Sequence, residues 1–120
     1  MDSETRKGLK TLINILETFK DIGGHQGLEV QTLLTFFYIA LTEKDDEQGL
    51  NVNTIGEMLG STTATASRNV TILNQGHVRS LRPGLGLVTA YEDPMCRIKK
   101  IVELTTKGRK LRDRLTEMIA

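Results

Sequence analysis

Hydroxyls and one guanidinium gather along a single short stretch, Thr62, Thr63, Ser67, Arg68 and Thr71, with the small Ala64 among them. These types suit contact with nucleic acid. Ser and Thr both donate and accept hydrogen bonds, so they can meet several base edges, whereas Arg can pair bidentately with guanine or clamp a phosphate. Small side chains between them let a helix backbone approach the floor of a major groove, about 12 Å wide. A solvated helix face has the same local composition, so the surrounding elements must decide between the two.

Those residues sit in VNTIGEMLGSTTATASRNVTIL, Val52 to Leu73. The first half predicts a helix capped at about Asn53, with Ile55, Met58 and Leu59 on one face. Gly60 then ends it, as glycine does after a helix. Ser61, Thr62 and Thr63 are successive candidate caps for a second helix, whose apolar stripe is Ala66, Val70 and Leu73. Two short helices around a tight turn make a helix-turn-helix, with the hydroxyl-bearing residues on the outer side of the second helix.

Charge is divided along the chain. Residues 1–60 hold 5 Lys and Arg against 10 Asp and Glu, a net −5, and residues 61–120 hold 11 against 5, a net +6. Phosphate neutralisation dominates nucleic-acid affinity, so a basic half containing the hydroxyl-rich helix fits a DNA partner. The acidic run at 43–47 reads as a solvated loop. A length of 120 residues, 38% hydrophobic and 26% charged, predicts one domain spanning 1–120. No apolar run reaches the roughly 18–20 residues of a membrane span and no signal-peptide core is visible, so a cytoplasmic, nucleoid-associated location is expected. The single cysteine, Cys96, cannot form an internal disulfide.

The remaining elements follow from periodicity and turn chemistry. Residues 7–20 predict an amphipathic helix with Leu9, Leu12, Ile13, Leu16 and Phe19 on its stripe and Ile15 near the edge. After the glycine-rich break at 21–27, residues 28–41 predict a second helix, nearly all core, through Val30, Leu33, Leu34, Phe37, Tyr38 and Leu41. Leu50 to Val52 suggests a very short strand, and Gly76 a helix terminator. Gly86–Tyr91 and Lys99–Leu104 have β composition and flank a turn on Asp93-Pro94, which makes a basic hairpin carrying Arg97, Lys99 and Lys100. Such a hairpin can place an arginine in a neighbouring minor groove. From Thr105 a last helix carries Leu111, Leu115, Met118 and Ile119.

In this order, residues 28–119 resemble the MarR-like winged helix-turn-helix regulators. The likeness rests on LGSTTATASRNVTILNQGHV from Leu59, and on the wing followed by VELTTKGRKL from Val102. Leu104, Thr105, Lys107 and Gly108 match the family's LTxKG signature. The wing tip departs from it: Asp93 and Arg97 match, while Pro94, Met95 and Cys96 replace residues that are commonly polar. The resemblance implies a mainly α fold with a small β-hairpin wing and homodimerisation. It also implies that family members continue into a further helix, whereas this sequence ends at Ala120. The apolar stripe of the first helix and the seam of the last make the expected dimer face Leu9, Leu12, Leu16, Phe19, Leu111, Leu115 and Met118.

Enzyme chemistry has no constellation to carry it. His25 and His77 lie in separate glycine-containing turns without Cys or carboxylate at ligand spacing, no phosphate loop is present, and Gly84-Leu85-Gly86 reads as a tight approach to the wing. No metal or cofactor is expected, and no residue marks a small-molecule effector pocket. The reading is a transcriptional regulator that binds double-stranded DNA as a homodimer. Thr63, Ala64, Ser67, Arg68 and Thr71 would face the major groove, and Thr62, Arg79, Arg82, Arg97, Lys99 and Lys100 would meet phosphate or the minor groove. The alternative is a winged-helix interaction module without DNA binding. A single-strand binder would need exposed aromatics, and the five present fall mostly in predicted core helices.

Overall fold

A computed structural model describes residues 1–24, 27–43, 50–74, 76–77 and 82–120, without the side chains of 76–77, 82–83 and 97–99. The elements run α1 (Ser3–Gly23), α2 (Val30–Thr42), β1 (Leu50–Asn51), α3 (Val52–Leu59), α4 (Thr63–Leu73), β2 (Gly76–His77), β3 (Arg82–Pro83), β4 (Val88–Asp93), β5 (Cys96–Leu104) and α5 (Thr106–Ile119). α1 begins earlier than the apolar stripe alone predicts, because Asp2 Oδ1 accepts from the Thr5 amide at 2.7 Å and caps it. That amide also holds the Asp2 carboxyl below the usual carboxylate range.

β1, β5 and β4 form an antiparallel sheet in that order, with Leu50 opposite Val102 and Ala90 also opposite Val102 on the other side. The core lies between this sheet and the helices. Phe19 of α1, Phe36 and Ile39 of α2, Ile55 of α3, Leu73 of α4 and Leu104 of β5 are among its buried residues. Phe19, Phe36 and Phe37 meet edge to face at centroid distances of 5.6–6.0 Å, which joins α1 to α2.

α2 turns a different face inward from the one its large apolar residues suggest. Thr32, Thr35, Phe36 and Ile39 are buried, while Val30 is 70% exposed, Leu41 78% exposed, and Leu34 and Phe37 are exposed too. A helix apolar on nearly every side gives periodicity no face to choose. The threonines tolerate burial because their hydroxyls are matched: Thr35 Oγ1 donates to the Gln31 carbonyl at 2.7 Å and Thr32 Oγ1 to Asn69 Oδ1 at 2.8 Å.

Three residues of the expected dimer face belong instead to this chain's own core. Phe19, Leu111 and Leu115 are buried, and Met118 is partly buried against the same cluster. Leu9, Leu12 and Leu16 remain exposed, as do Ile13 on α1 and Ile119 on α5. Ile119 also borders an open apolar groove of about 420 Å³ between α2 and α5, where Arg112 stands among Phe36, Phe37 and Leu41. Glu43, assigned to a solvated loop by its composition, is an anchor. Its Oε1 accepts from Arg109 Nε at 2.9 Å and from an Arg112 guanidinium nitrogen at 3.2 Å, and its Oε2 accepts from the Leu104 amide at 3.2 Å. One carboxylate thus ties the end of α2 to the end of β5 and to α5.

Candidate nucleic-acid interface

The helix pair is built by caps at both ends of its turn. Asn51, rather than Asn53, caps α3: its Oδ1 accepts from the Thr54 amide at 2.9 Å, and Asn53 lies inside the first turn. Gly60 closes α3 in the left-handed region at φ 65, with its own amide on the Glu57 carbonyl and the Ser61 amide on the Gly56 carbonyl. That pair of bonds is a Schellman closure, and the positive φ is why glycine stands there. Gly56 is equally constrained, since a Cβ would meet the Thr62 carbonyl oxygen at 3.2 Å. Of the three candidate caps for α4, Thr62 takes the role, accepting from the Thr65 amide at 3.1 Å.

α4 is held from three sides. Ala66, Val70 and Leu73 are buried in the core, as the apolar stripe predicts. Asn69 is buried as well, and its bond from Thr32 docks the helix on α2; this contact links positions 37 apart, and no local pattern announces it. At the C-terminal end the amides of Leu85, Gly86 and Leu87 donate to the carbonyls of Ile72, Asn74 and Leu73 at 2.8–3.2 Å. Carbonyls that a helix end leaves unmatched therefore bind the segment leading into the wing. The helix ends at Leu73 with Asn74 after it, before Gly76, which opens β2 instead of terminating the helix.

The wing is the β4–β5 hairpin. It is longer than its composition suggests, because pairing continues to Asp93 opposite Cys96 around Pro94-Met95, and Asp93 Oδ1 accepts from the Met95 amide at 2.9 Å. Across the strands the Tyr91 hydroxyl donates to Glu103 Oε1 at 2.7 Å, which pushes the phenol's pKa above its usual value. The LTTKG segment fixes the wing's root to α5. Thr105 caps the helix through the Gly108 amide and donates from its hydroxyl to the Gly86 carbonyl at 2.6 Å, while Lys107 Nζ donates to the Leu85 carbonyl at 2.8 Å. Gly108 packs so closely on Leu87 that a Cβ would collide with the Leu87 carbonyl oxygen.

On the outer surface of α4, Thr63, Ala64, Ser67 and Arg68 are exposed and Thr71 is half-buried. Thr71 Oγ1 donates to the Ser67 carbonyl at 2.9 Å, which leaves its lone pairs to meet a partner. Thr62 is exposed, but its hydroxyl also bonds Thr65 Oγ1 at 3.1 Å, so capping occupies it. Lys100 is exposed on β5, next to a cleft of about 250 Å³ between the wing and α4, lined by Ser67, Thr71, Asn74 and Lys100 together with Val52, Val70 and Ala90. Arg79 lies outside the described residues. Arg82 falls in β3 and Arg97 and Lys99 in β5, and their side chains lie outside the description. Asn74 is a lining residue that sequence reasoning passed over, because it reads only as the end of a helix. Among the described residues no three His, Cys, Asp or Glu side chains gather as a metal site, and no helix is long and apolar enough to cross a membrane.

No protein-family model matches the chain, and no curated protein sequence matches it. Solved structures do. It is similar to MepR of S. aureus in complex with DNA, at 23% identity and a TM-score of 0.69, over 96% of this chain and 77% of that one. A MarR transcriptional regulator from Methanosarcina mazei Go1 is 18% identical with a TM-score of 0.64, over 96% of this chain and 70% of that one. The transcriptional repressor CouR, bound to a 23-mer DNA duplex, is 19% identical with a TM-score of 0.58, over 92% of this chain and 68% of that one. With α3 and α4 as the helix pair, β4 and β5 as the wing and α1 and α5 beside them, the chain has the winged helix-turn-helix fold of MarR-type regulators.

Proposed function

We propose that this protein binds double-stranded DNA through α4 and the wing, acts as a transcriptional regulator rather than an enzyme, and does so as a homodimer. The observation that carries the reading is α4 itself. Core packing, the Asn69 bond and the bonds from 85–87 fix it on three sides, and its remaining side presents Thr63, Ala64, Ser67 and Arg68 to solvent. A rigid helix with small polar residues and one guanidinium outward meets the steric and hydrogen-bonding demands of a major groove. Structures with this fold bound to DNA, MepR and CouR, support the same use here.

The dimer reading draws on apolar surface. Leu9, Leu12, Ile13 and Leu16 form an exposed stripe on α1 next to Ile119 of α5, and burying such surface against a second copy is favourable by about 25 cal/mol per Å². A two-fold pair would set two α4 helices one duplex turn apart, about 34–36 Å, so the operator would be an inverted repeat. In this reading residues 1–120 act as one domain whose terminal helices dimerise, in a cytoplasmic, nucleoid-associated location. Footprinting on duplex fragments from the adjacent genome tests the reading: protection of two half-sites in successive major grooves supports it, and no protection at any protein concentration up to tens of micromolar contradicts it.

A further inference from the structure

The polar surface of α4 is divided between two directions. Thr63, Ala64 and Arg68 are exposed and take no part in the cleft beside the wing, whereas Ser67, Thr71 and Asn74 line it together with Lys100 of β5. Thr71 has spent its hydroxyl proton on the Ser67 carbonyl. The Ser67 hydroxyl, the Asn74 carboxamide and the Lys100 ammonium have no side-chain partner among the described residues. Three donor-bearing residues, one of them cationic, therefore border one largely polar space of about 250 Å³, whose lining Val52, Val70 and Ala90 complete. Groups of this kind match an anion with several acceptor oxygens.

We propose that this cleft seats one backbone phosphate of the bound duplex, held by Lys100, Ser67 and Asn74, so that helix and wing grip the same phosphodiester. The proposal rests on the DNA-binding reading and sharpens it. Ser67 becomes a phosphate contact rather than a base reader, and base discrimination falls to Thr63, Ala64, Arg68 and the lone pairs of Thr71. A phosphate shared by α4 and β5 also sets the angle at which α4 enters the groove, because contacts to the backbone fix register and orientation. Glu92 stands directly across the strand pair from Lys100, and among the described residues no ion pair joins the two. Its carboxylate, paired in register with Lys100, would oppose a phosphate held there.

The test compares the unmodified protein with Lys100→Gln, Ser67→Ala and Glu92→Gln on a footprinted duplex and on a scrambled duplex, across a salt series, with thermal melting to confirm that each variant folds. Lys100→Gln should lower affinity by the same factor on both duplexes and reduce the slope of log affinity against log salt by about one unit. Glu92→Gln should raise affinity. A single uncharged methylphosphonate, moved along the duplex, should weaken the unmodified protein several-fold at one position per half-site and leave Lys100→Gln insensitive there. An unchanged salt slope for Lys100→Gln, a loss confined to one sequence, or no such position would overturn the phosphate seat while leaving DNA binding in place. Inorganic phosphate bound without DNA as tightly as the duplex would make the cleft a free-anion site and also overturn it. If the unmodified protein binds no duplex, the DNA reading fails first and this inference with it.

Discussion

The buried pair Thr32–Asn69 gives a prediction in which stability and function move in opposite directions. Both residues are sealed from solvent, the Thr32 hydroxyl donates to Asn69 Oδ1 at 2.8 Å, and Asn69 Nδ2 has no partner among the described residues. A neutral hydrogen bond nets about 0.5–1.5 kcal/mol, and an unmatched buried polar group costs about 1–3 kcal/mol. Thr32→Val removes the bond and leaves the whole carboxamide unmatched, so it should destabilise by about 2 kcal/mol. Asn69→Leu removes the carboxamide but strands the hydroxyl, for about 1 kcal/mol. The double variant removes every polar group at the contact and should be as stable as the unmodified protein or more so, a coupling of about 3 kcal/mol or more. Its DNA affinity should nevertheless fall, because the directional bond that sets the rotation of α4 on α2 is gone. Urea denaturation of the four proteins measures the cycle and anisotropy titration measures affinity. Additive effects within about 0.5 kcal/mol would refute the pairing, and a double variant with full affinity would refute its role in aiming α4.

Four further substitutions have outcomes set by exposure and packing. Arg68→Ala should weaken duplex binding by about 1–3 kcal/mol with unchanged melting, since Arg68 is exposed and the loss is of a charge-assisted contact; anisotropy titration reads it. Gly108→Ala should destabilise by at least about 1–3 kcal/mol in urea titrations, because its Cβ meets the Leu87 carbonyl and a backbone must shift. Leu12→Glu, on a residue 56% exposed, should leave melting of the fold intact and yield a monomer in sedimentation equilibrium, while Leu115→Glu, at a residue 3% exposed, should prevent folding through an unpaired buried charge.

What was legible in the sequence is local. The αL glycine at 60, the Thr cap of α4 and the stripe Ala66, Val70 and Leu73 show in the spacing of neighbouring residues, whereas the LTTKG root of the wing was legible only through the family resemblance, since Thr105 and Lys107 find Gly86 and Leu85 19 and 22 positions away. What failed was the choice of face where every face is apolar. On α2 it fell on Val30, Leu34 and Leu41, and on α5 it gave Leu111 and Leu115 to a dimer when the protomer's own core takes them. Contacts between distant positions were equally hidden. Nothing near Glu43 signals Arg109 and Arg112, nothing near Asn69 signals Thr32, and Asn74 acquires meaning only when β5 brings Lys100 to it.

Selection of duplexes from a random-sequence pool by the unmodified protein, at roughly physiological salt, asks whether α4 reads DNA sequence. Two-fold binding through α4 should yield an enriched inverted repeat, with half-sites about 10–10.5 base pairs apart centre to centre, whose enrichment Arg68→Ala reduces. A pool that emerges without sequence enrichment, from a protein shown to be folded, would contradict it.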